Sequence, residues 1–208
     1  MLPLLRVKSD FKDFYDNLAS SRAIVVYRRY TKDNLPRDQV FKRLTCLNVR
    51  VVPFGQVKEL AQMAKKLVVY TDITKHNKEG KLVLTSSEAL LLYPNKLASV
   101  FVEKTEAVTY KVLRIGSIVV RLLMEDTDTK GNNSELPNSN VKDIEIIRKA
   151  PENILREPIY SIDYIPTEDG LAAVDFNSVE NLSALKINDF ISGEDIIREV
   201  YNHILKYS

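Results

Sequence analysis

The most constraining stretch of this chain is residues 159–177, where two β-rich runs flank a Pro166-to-Gly170 turn. Successive side chains of a strand point to opposite faces, so even and odd positions must be read separately. The even positions are Tyr160, Ile162, Tyr164, Ala172, Val174 and Phe176, a uniformly apolar face that belongs against a core. The odd positions are Ser161, Asp163, Ala173, Asp175 and Asn177. With the turn spanning Pro166 to Gly170, Ile165 pairs with Leu171, Asp163 with Ala173 and Ser161 with Asp175. Asp163 and Asp175 then become diagonal neighbours at about 7–8 Å. Aspartate is depleted in strands and two such carboxylates repel. A hard cation between them reverses that penalty, because Mg²⁺ takes oxygen ligands from one or two carboxylates together with substrate phosphates and water. The Asn177 carbonyl can complete such a set without adding charge, and the chemistry it suits is phosphoryl transfer. The same residues also fit the plain polar outer face of a hairpin.

The rest of the chain supplies elements to place around this hairpin. Residues 9–19 carry Phe11, Phe14, Tyr15 and Leu18 at helical spacing after Ser9, and Ala23 to Tyr30 is β-rich. Pro36 opens a helix through Leu44, followed by a strand from Val49 to Phe54, a helix from Gln56 to Lys66 and a strand from Leu67 to Tyr70. That alternation predicts a small parallel α/β unit over residues 1–95. Ser86 to Tyr93 reads as a short helix stopped by Pro94.

From 96 to 208 the character changes to an antiparallel sheet with helices. Ala98 to Lys104 is a strand candidate, and Gly116-Ser117 between two apolar runs signals a type II′ hairpin. Residues 125–142 hold four asparagines and no period, which predicts a loop. Ser192 with Asp195 predicts a capped final helix with Ile196, Ile197, Val200, Ile204 and Leu205 as its apolar stripe.

Composition excludes more than it selects. The 208 residues carry 30 basic and 28 acidic side chains, a net charge of +2, which gives no electrostatic reason to expect nucleic acid or an anionic membrane as partner. No apolar run reaches the ~20 residues needed to cross a bilayer. The single cysteine, Cys46, excludes an internal disulfide and predicts a cytoplasmic setting, with the thiol buried in its apolar stretch. His76 and His203 are isolated in sequence and read as surface residues.

The hairpin resembles the metal-binding half of ATP-grasp ligases, most of all their peptide–glutamate ligase branch. There an acidic residue on one strand is followed about twelve residues later by Glu-x-Asn. Here Ser-Ile-Asp163-Tyr precedes Ala-Val-Asp175-Phe-Asn177-Ser at the same spacing, and Asn181-Leu182 and a helix follow. Val100-Phe-Val-Glu103-Lys104 resembles the strand leading to the adenine hinge. Tyr110-Lys111-Val-Leu-Arg-Ile-Gly116 is similar to the strand carrying a basic residue ahead of a glycine. The resemblance covers roughly residues 98–207. It implies ATP and Mg²⁺ as cofactors, with Asp163, Asp175 and Asn177 on the metal, Lys111 and Arg114 on phosphates and Glu103 near the adenosine. It further implies carboxylate–amine ligation through an acyl phosphate, on a small carboxylate or peptide substrate.

Departures from the pattern support other readings. Aspartate 175 stands where the family has glutamate, and Glu125-Asp126 falls where ligases place an arginine; Arg114 or Arg121, on one face of the hairpin, could replace it. Six glycines in all provide no glycine-rich lid. The central lysine-bearing subdomain is shortened between Leu67 and Leu97, leaving Lys78 and Lys81, which read as solvated loop lysines. A trimmed, non-catalytic relative serving as a binding or partner subunit, in a homodimer or with another protein, is therefore the alternative expectation. A plain α/β interaction domain is the third.

Overall fold

The computed structural model describes residues 35–74, 80–125, 141–148, 157–177 and 187–207. The expected elements at 9–19 and 23–30 lie outside the described residues, as do His76, Lys78, Glu125's neighbour Asp126 and nearly all of the predicted 125–142 loop. In chain order the elements are α1 (Arg37–Cys46), β1 (Phe54–Gln56), α2 (Val57–Leu60), β2 (Lys66–Tyr70), β3 (Lys81–Thr85), α3 (Ser86–Leu92) and β4 (Leu97–Val100). They continue with β5 (Val108–Ile115), β6 (Ile118–Glu125), β7 (Val141–Ile147), β8 (Ile159–Thr167), β9 (Gly170–Asn177), a single 3-10 turn at Ile187–Asp189, and α4 (Gly193–Tyr207).

Two sheets carry the fold. The first has the order β1-β4-β2-β3 and the second β7-β6-β5-β8-β9. All named strand pairs are antiparallel. This corrects the parallel unit expected in the N-terminal half, and the topology gives the reason. β1 and β2 both run against β4, so the β1-α2-β2 unit does join strands of one direction, but β4 is inserted between them. β3 and β4 are likewise parallel across α3 and split by β2. The strand–helix–strand order reveals direction and leaves the inserted neighbour unseen.

Other departures are local. The helix expected from Gln56 to Lys66 is one turn, Val57–Leu60, held by a Gln56/Glu59 capping box, because Lys66 already pairs with Thr85. The expected strand Val49–Phe54 reduces to a parallel bridge between Val51 and Ala173 and the start of β1. Cys46 is exposed at the last residue of α1, where the helix turns its Val40, Phe41 and Leu44 inward. His203 is buried at 7% exposure, since it lies within the span of α4 that also buries Val200 and Ile204.

The hairpin expectations at the other end hold. Ile115 pairs with Ile118 around Gly116-Ser117; Gly116 has φ +54° while Ser117 stays out of the positive-φ set, as type II′ requires. A Cβ on Gly116 would sit 2.6 Å from the Glu199 carbonyl, and the Glu199 carboxylate accepts from the Ser117 amide at 2.8 Å. The turn is thereby fastened to α4. The Asp195 amide donates to the Ser192 hydroxyl at 3.1 Å, giving the expected helix cap.

One face of the second sheet is covered by α4, with Ile196, Val200 and Ile204 against Leu113, Ile115, Val120, Leu122 and Ile159. α1 lies along the edge strand β9. Its Val40 and Leu44 pack with Tyr160, Ile162, Ala173 and Phe176. Its Phe41 packs with Ile165 and Ala172 on the other side of the strand, and with Val68 and Tyr70 of the first sheet. An edge strand covered in this way cannot recruit a foreign strand. The arrangement also brings the first turn of α1 to the polar end of the β8–β9 hairpin.

Candidate functional site

The β8–β9 loop is tighter than expected, with Thr167 opposite Gly170, Ile165 opposite Ala172 and Tyr164 opposite Ala173. A bulge follows, and beyond it Asp163 lies directly opposite Asp175 and Ser161 opposite Asn177. The diagonal placement is thus corrected to a direct one. Two steps cause it: the tighter turn moves the register by one residue, and the extra residue of the bulge, Val174, moves every later pair by one more. Directly opposed side chains have Cβ atoms about 4.5–5.5 Å apart, where like charges destabilise the sheet.

The structure answers that repulsion with two cations. Lys111 sits opposite Asp163 in the β5–β8 ladder, and its Nζ lies 2.7 Å from Asp163 Oδ1 and 3.2 Å from Ser161 Oγ. Lys111 and Asp163 are 4% and 5% exposed. The second cation comes from the other end of the chain: Arg37 Nη1 lies 2.6 Å from Asp175 Oδ1, with Arg37 only 1% exposed. Arg37 occupies the first turn of α1, its amide donates to the Ile73 carbonyl at 2.9 Å, and its guanidinium lies 5.8 Å from the Tyr70 ring centre. The Tyr70 hydroxyl is 3.1 Å from Ser99 Oγ; burial raises its pKa, and the Arg37 charge works against that rise.

Lys81 completes the constellation. It is half-buried on β3, opposite Tyr70. Burial and then the Arg37 charge pull its pKa down to about 8, while Asp175 and Asp163 act to raise it. Two carboxylates from the second sheet therefore share one electrostatic environment with Lys111 from that sheet, Arg37 from α1 and Lys81 from the first sheet.

Not every expected residue joins them. Arg114 alternates to the opposite face of β5 from Lys111, beside Tyr160, and its Nε donates to the Gly116 carbonyl at 2.7 Å. Arg121 shares that face through the Arg114–Val119 and Val112–Arg121 pairs, and is 3.1 Å from Glu145. Glu103 is exposed on the connection between the sheets. Asn177 is half-buried on the same face as Asp163 and Asp175. The sequence reading missed Arg37 altogether: its only local mark is Pro36, which signals a helix start, and its partner is 138 residues away. Lys81 was legible as a lysine and misjudged as solvated.

Among the described residues no three His, Cys, Asp or Glu side chains form a self-sufficient metal site. Two opposed carboxylates with an amide on the same face do fit Mg²⁺, whose other ligands are commonly phosphate and water. The Arg37 and Lys111 charges pair with those carboxylates.

The sequence matches no protein-family model and no curated protein. Solved structures do match, and they define a fold class. The chain has an ATP-grasp-like α+β fold. It is similar to a Chryseobacterium gregarium RiPP-associated ATP-grasp ligase in complex with ADP and a leader and core peptide, at TM-score 0.50 and 10% identity, covering 97% of this chain and 72% of that one. It is also similar to the Bacillus anthracis D-alanine–D-alanine ligase complexed with ATP, at TM-score 0.45 and 10% identity, over 83% of this chain and 67% of that one. The Aspergillus clavatus N5-carboxyaminoimidazole synthase in complex with ADP matches at TM-score 0.47 and 11% identity, over 84% of this chain and 53% of that one. The chain thus spans about half to three-quarters of these proteins' lengths. Among the described residues no helix is long and apolar enough to cross a membrane.

Proposed function

We propose that the chain binds a nucleoside triphosphate with Mg²⁺ and serves an ATP-dependent carboxylate–amine ligation. The observation that carries this reading is the buried pairing of Lys111 with Asp163 and Arg37 with Asp175, beside Lys81, in an ATP-grasp-like fold. Ion pairs at such burial cost desolvation and are weak devices for stability; a site that must receive both a cation and a polyphosphate needs both signs of charge in one place. Asp163, Asp175 and Asn177 would hold Mg²⁺, which neutralises charge on the phosphates. Lys111, Arg37 and Lys81 would bind phosphate oxygens, and Glu103 would lie toward the adenosine. A substrate carboxylate oxygen would attack the γ-phosphorus of ATP, releasing ADP and leaving an acyl phosphate. An amine would then attack the acyl carbon, expelling phosphate and losing a proton. The solved neighbour with a leader and core peptide supports a peptide as one substrate class. Arg114 is assigned no phosphate contact here, because its face is the wrong one.

The alternative, a non-catalytic relative that keeps nucleotide binding, is favoured by one observation: both carboxylates already carry a cation from their own chain. Thermal unfolding with ATP, with Mg²⁺ and with both separates these readings from a plain interaction domain. Ligand at 100 times its Kd stabilises by about 2.7 kcal/mol. The expected result is a rise in Tm with ATP and Mg²⁺ together that Asp163→Asn/Asp175→Asn abolishes. Absence of any rise in the wild type sinks nucleotide binding, and a rise without ADP release from carboxylate and amine mixtures favours the non-catalytic relative.

A further inference from the structure

Arg37 stands out because nothing in the architecture of the second sheet requires it. It belongs to α1, it is 1% exposed, and it reaches across 138 residues of sequence to put a guanidinium 2.6 Å from Asp175. Its placement is fixed from outside the sheet, by the Ile73 carbonyl on its amide and by the Tyr70 ring beside its guanidinium. Lys111 does the same for Asp163 from within the sheet, at 2.7 Å. The two opposed carboxylates contribute −2 and these two side chains +2. Lys81 adds a further positive charge to the same environment whenever it is protonated. A bare divalent cation approaching this face meets no net negative charge and must displace a buried, fixed guanidinium. A polyphosphate changes the balance, since its oxygens offer Arg37, Lys111 and Lys81 a stronger partner and free the carboxylates for the metal.

We infer that Arg37 is a built-in counter-cation at Asp175, holding the charge position of the divalent ion in the ligand-free chain, so that the site accepts the metal only together with a polyphosphate. This rests on the nucleotide-binding reading above. Arg37 is then a positioning residue: it orients Asp175 and moves to phosphate when the nucleotide enters.

The test is Mn²⁺ binding followed by electron paramagnetic resonance, on wild type, Arg37→Gln and Arg37→Lys. Each is measured alone and with a non-hydrolysable ATP analogue, with circular dichroism melts to verify folding. Wild type and Arg37→Lys are expected to bind Mn²⁺ at least tenfold more tightly with the analogue than without it. Arg37→Gln is expected to bind Mn²⁺ alone at least tenfold more tightly than wild type does. Equal Mn²⁺ affinity in wild type with and without analogue overturns the inference while leaving nucleotide binding standing. So does a folded Arg37→Gln protein with unchanged nucleotide-free affinity. If Arg37→Gln does not fold, the with-and-without comparison in wild type and Arg37→Lys decides. Failure of the analogue to bind wild type under any condition overturns the underlying reading as well.

Discussion

The two sheets solve the problem of burial differently. The five-stranded sheet is covered on one face by α4 and along its β9 edge by α1, and Leu113, Ile115, Val120 and Ile159 are fully enclosed. The four-stranded sheet encloses Leu67, Val69, Ala89 and Ala98 on one side, yet its edge strand β3 and the adjoining α3 leave Leu82, Val83, Leu91 and Leu92 exposed, Leu91 at 82%. The thick sheet can therefore keep charged side chains out of water provided each has a partner. The thin sheet contributes a cation, Lys81, from its rim. The charge constellation forms where the two sheets meet.

The sharpest test of enclosure within the five-stranded sheet is its ion pairs. Lys111→Ala leaves Asp163 buried beside Asp175 without its lysine, and breaking a buried pair costs about 3–5 kcal/mol. Arg50→Ala removes the 2.8 Å pair with Asp169, whose side chains are 45% and 84% exposed, and exposed pairs contribute about 0–1 kcal/mol. Urea unfolding of both variants should separate them by several-fold. Equal losses would mean that the enclosed face of the thick sheet admits water.

Apolar truncation is expected to show the same asymmetry with a slightly smaller effect. Leu113→Ala opens a cavity under α4 and should destabilise by about 2–5 kcal/mol. Leu91→Ala, on the exposed side of α3, should stay within about 0.5 kcal/mol of wild type. Denaturant midpoints measure both, and a large loss at Leu91 would show that the thin sheet's outer face is covered in solution.

How much of this was legible follows the range of the interactions. The Gly116-Ser117 turn, the Ser192 cap and the alternation of β8 were readable because each is set by residues within a few positions of one another. The Asp163, Asp175 and Asn177 face was readable for the same reason, although its register was not: the turn closes one pair tighter than Pro166 to Gly170 suggested, and the bulge at Val174 has no sequence mark among Ala172, Ala173 and Val174. The splitting of the β1-α2-β2 unit was hidden because an inserted strand leaves no trace in the crossover that spans it, and β3 was not read as a strand at all. Arg37 was illegible for a related reason. A guanidinium at a helix start is ordinary, and only the packing of α1 along β9 brings it to Asp175. Lys81 failed on burial, since polar neighbours at Lys78 and Glu79 made its surroundings look like open loop.

Lys81 provides the most discriminating effect. Its pKa in the folded chain is about 8, against 10.5 for an ordinary lysine. Between those values the unfolded chain holds more protons than the folded one, so stability attributable to this residue rises as pH increases through that window. Below pH 8 both states are protonated and the contribution is flat, at its least favourable. Lys81→Met removes the group while keeping an unbranched side chain, and the difference between wild-type and variant unfolding free energies cancels the other groups that titrate there. That difference should move in favour of wild type from about pH 8 to about pH 10.5. A flat difference across the window would return Lys81 to the class of solvated loop lysines and detach the thin sheet from the charge constellation. A rising one shows that Lys81 is held at the rim of that sheet in surroundings that lower its proton affinity, burial first and the Arg37 charge second.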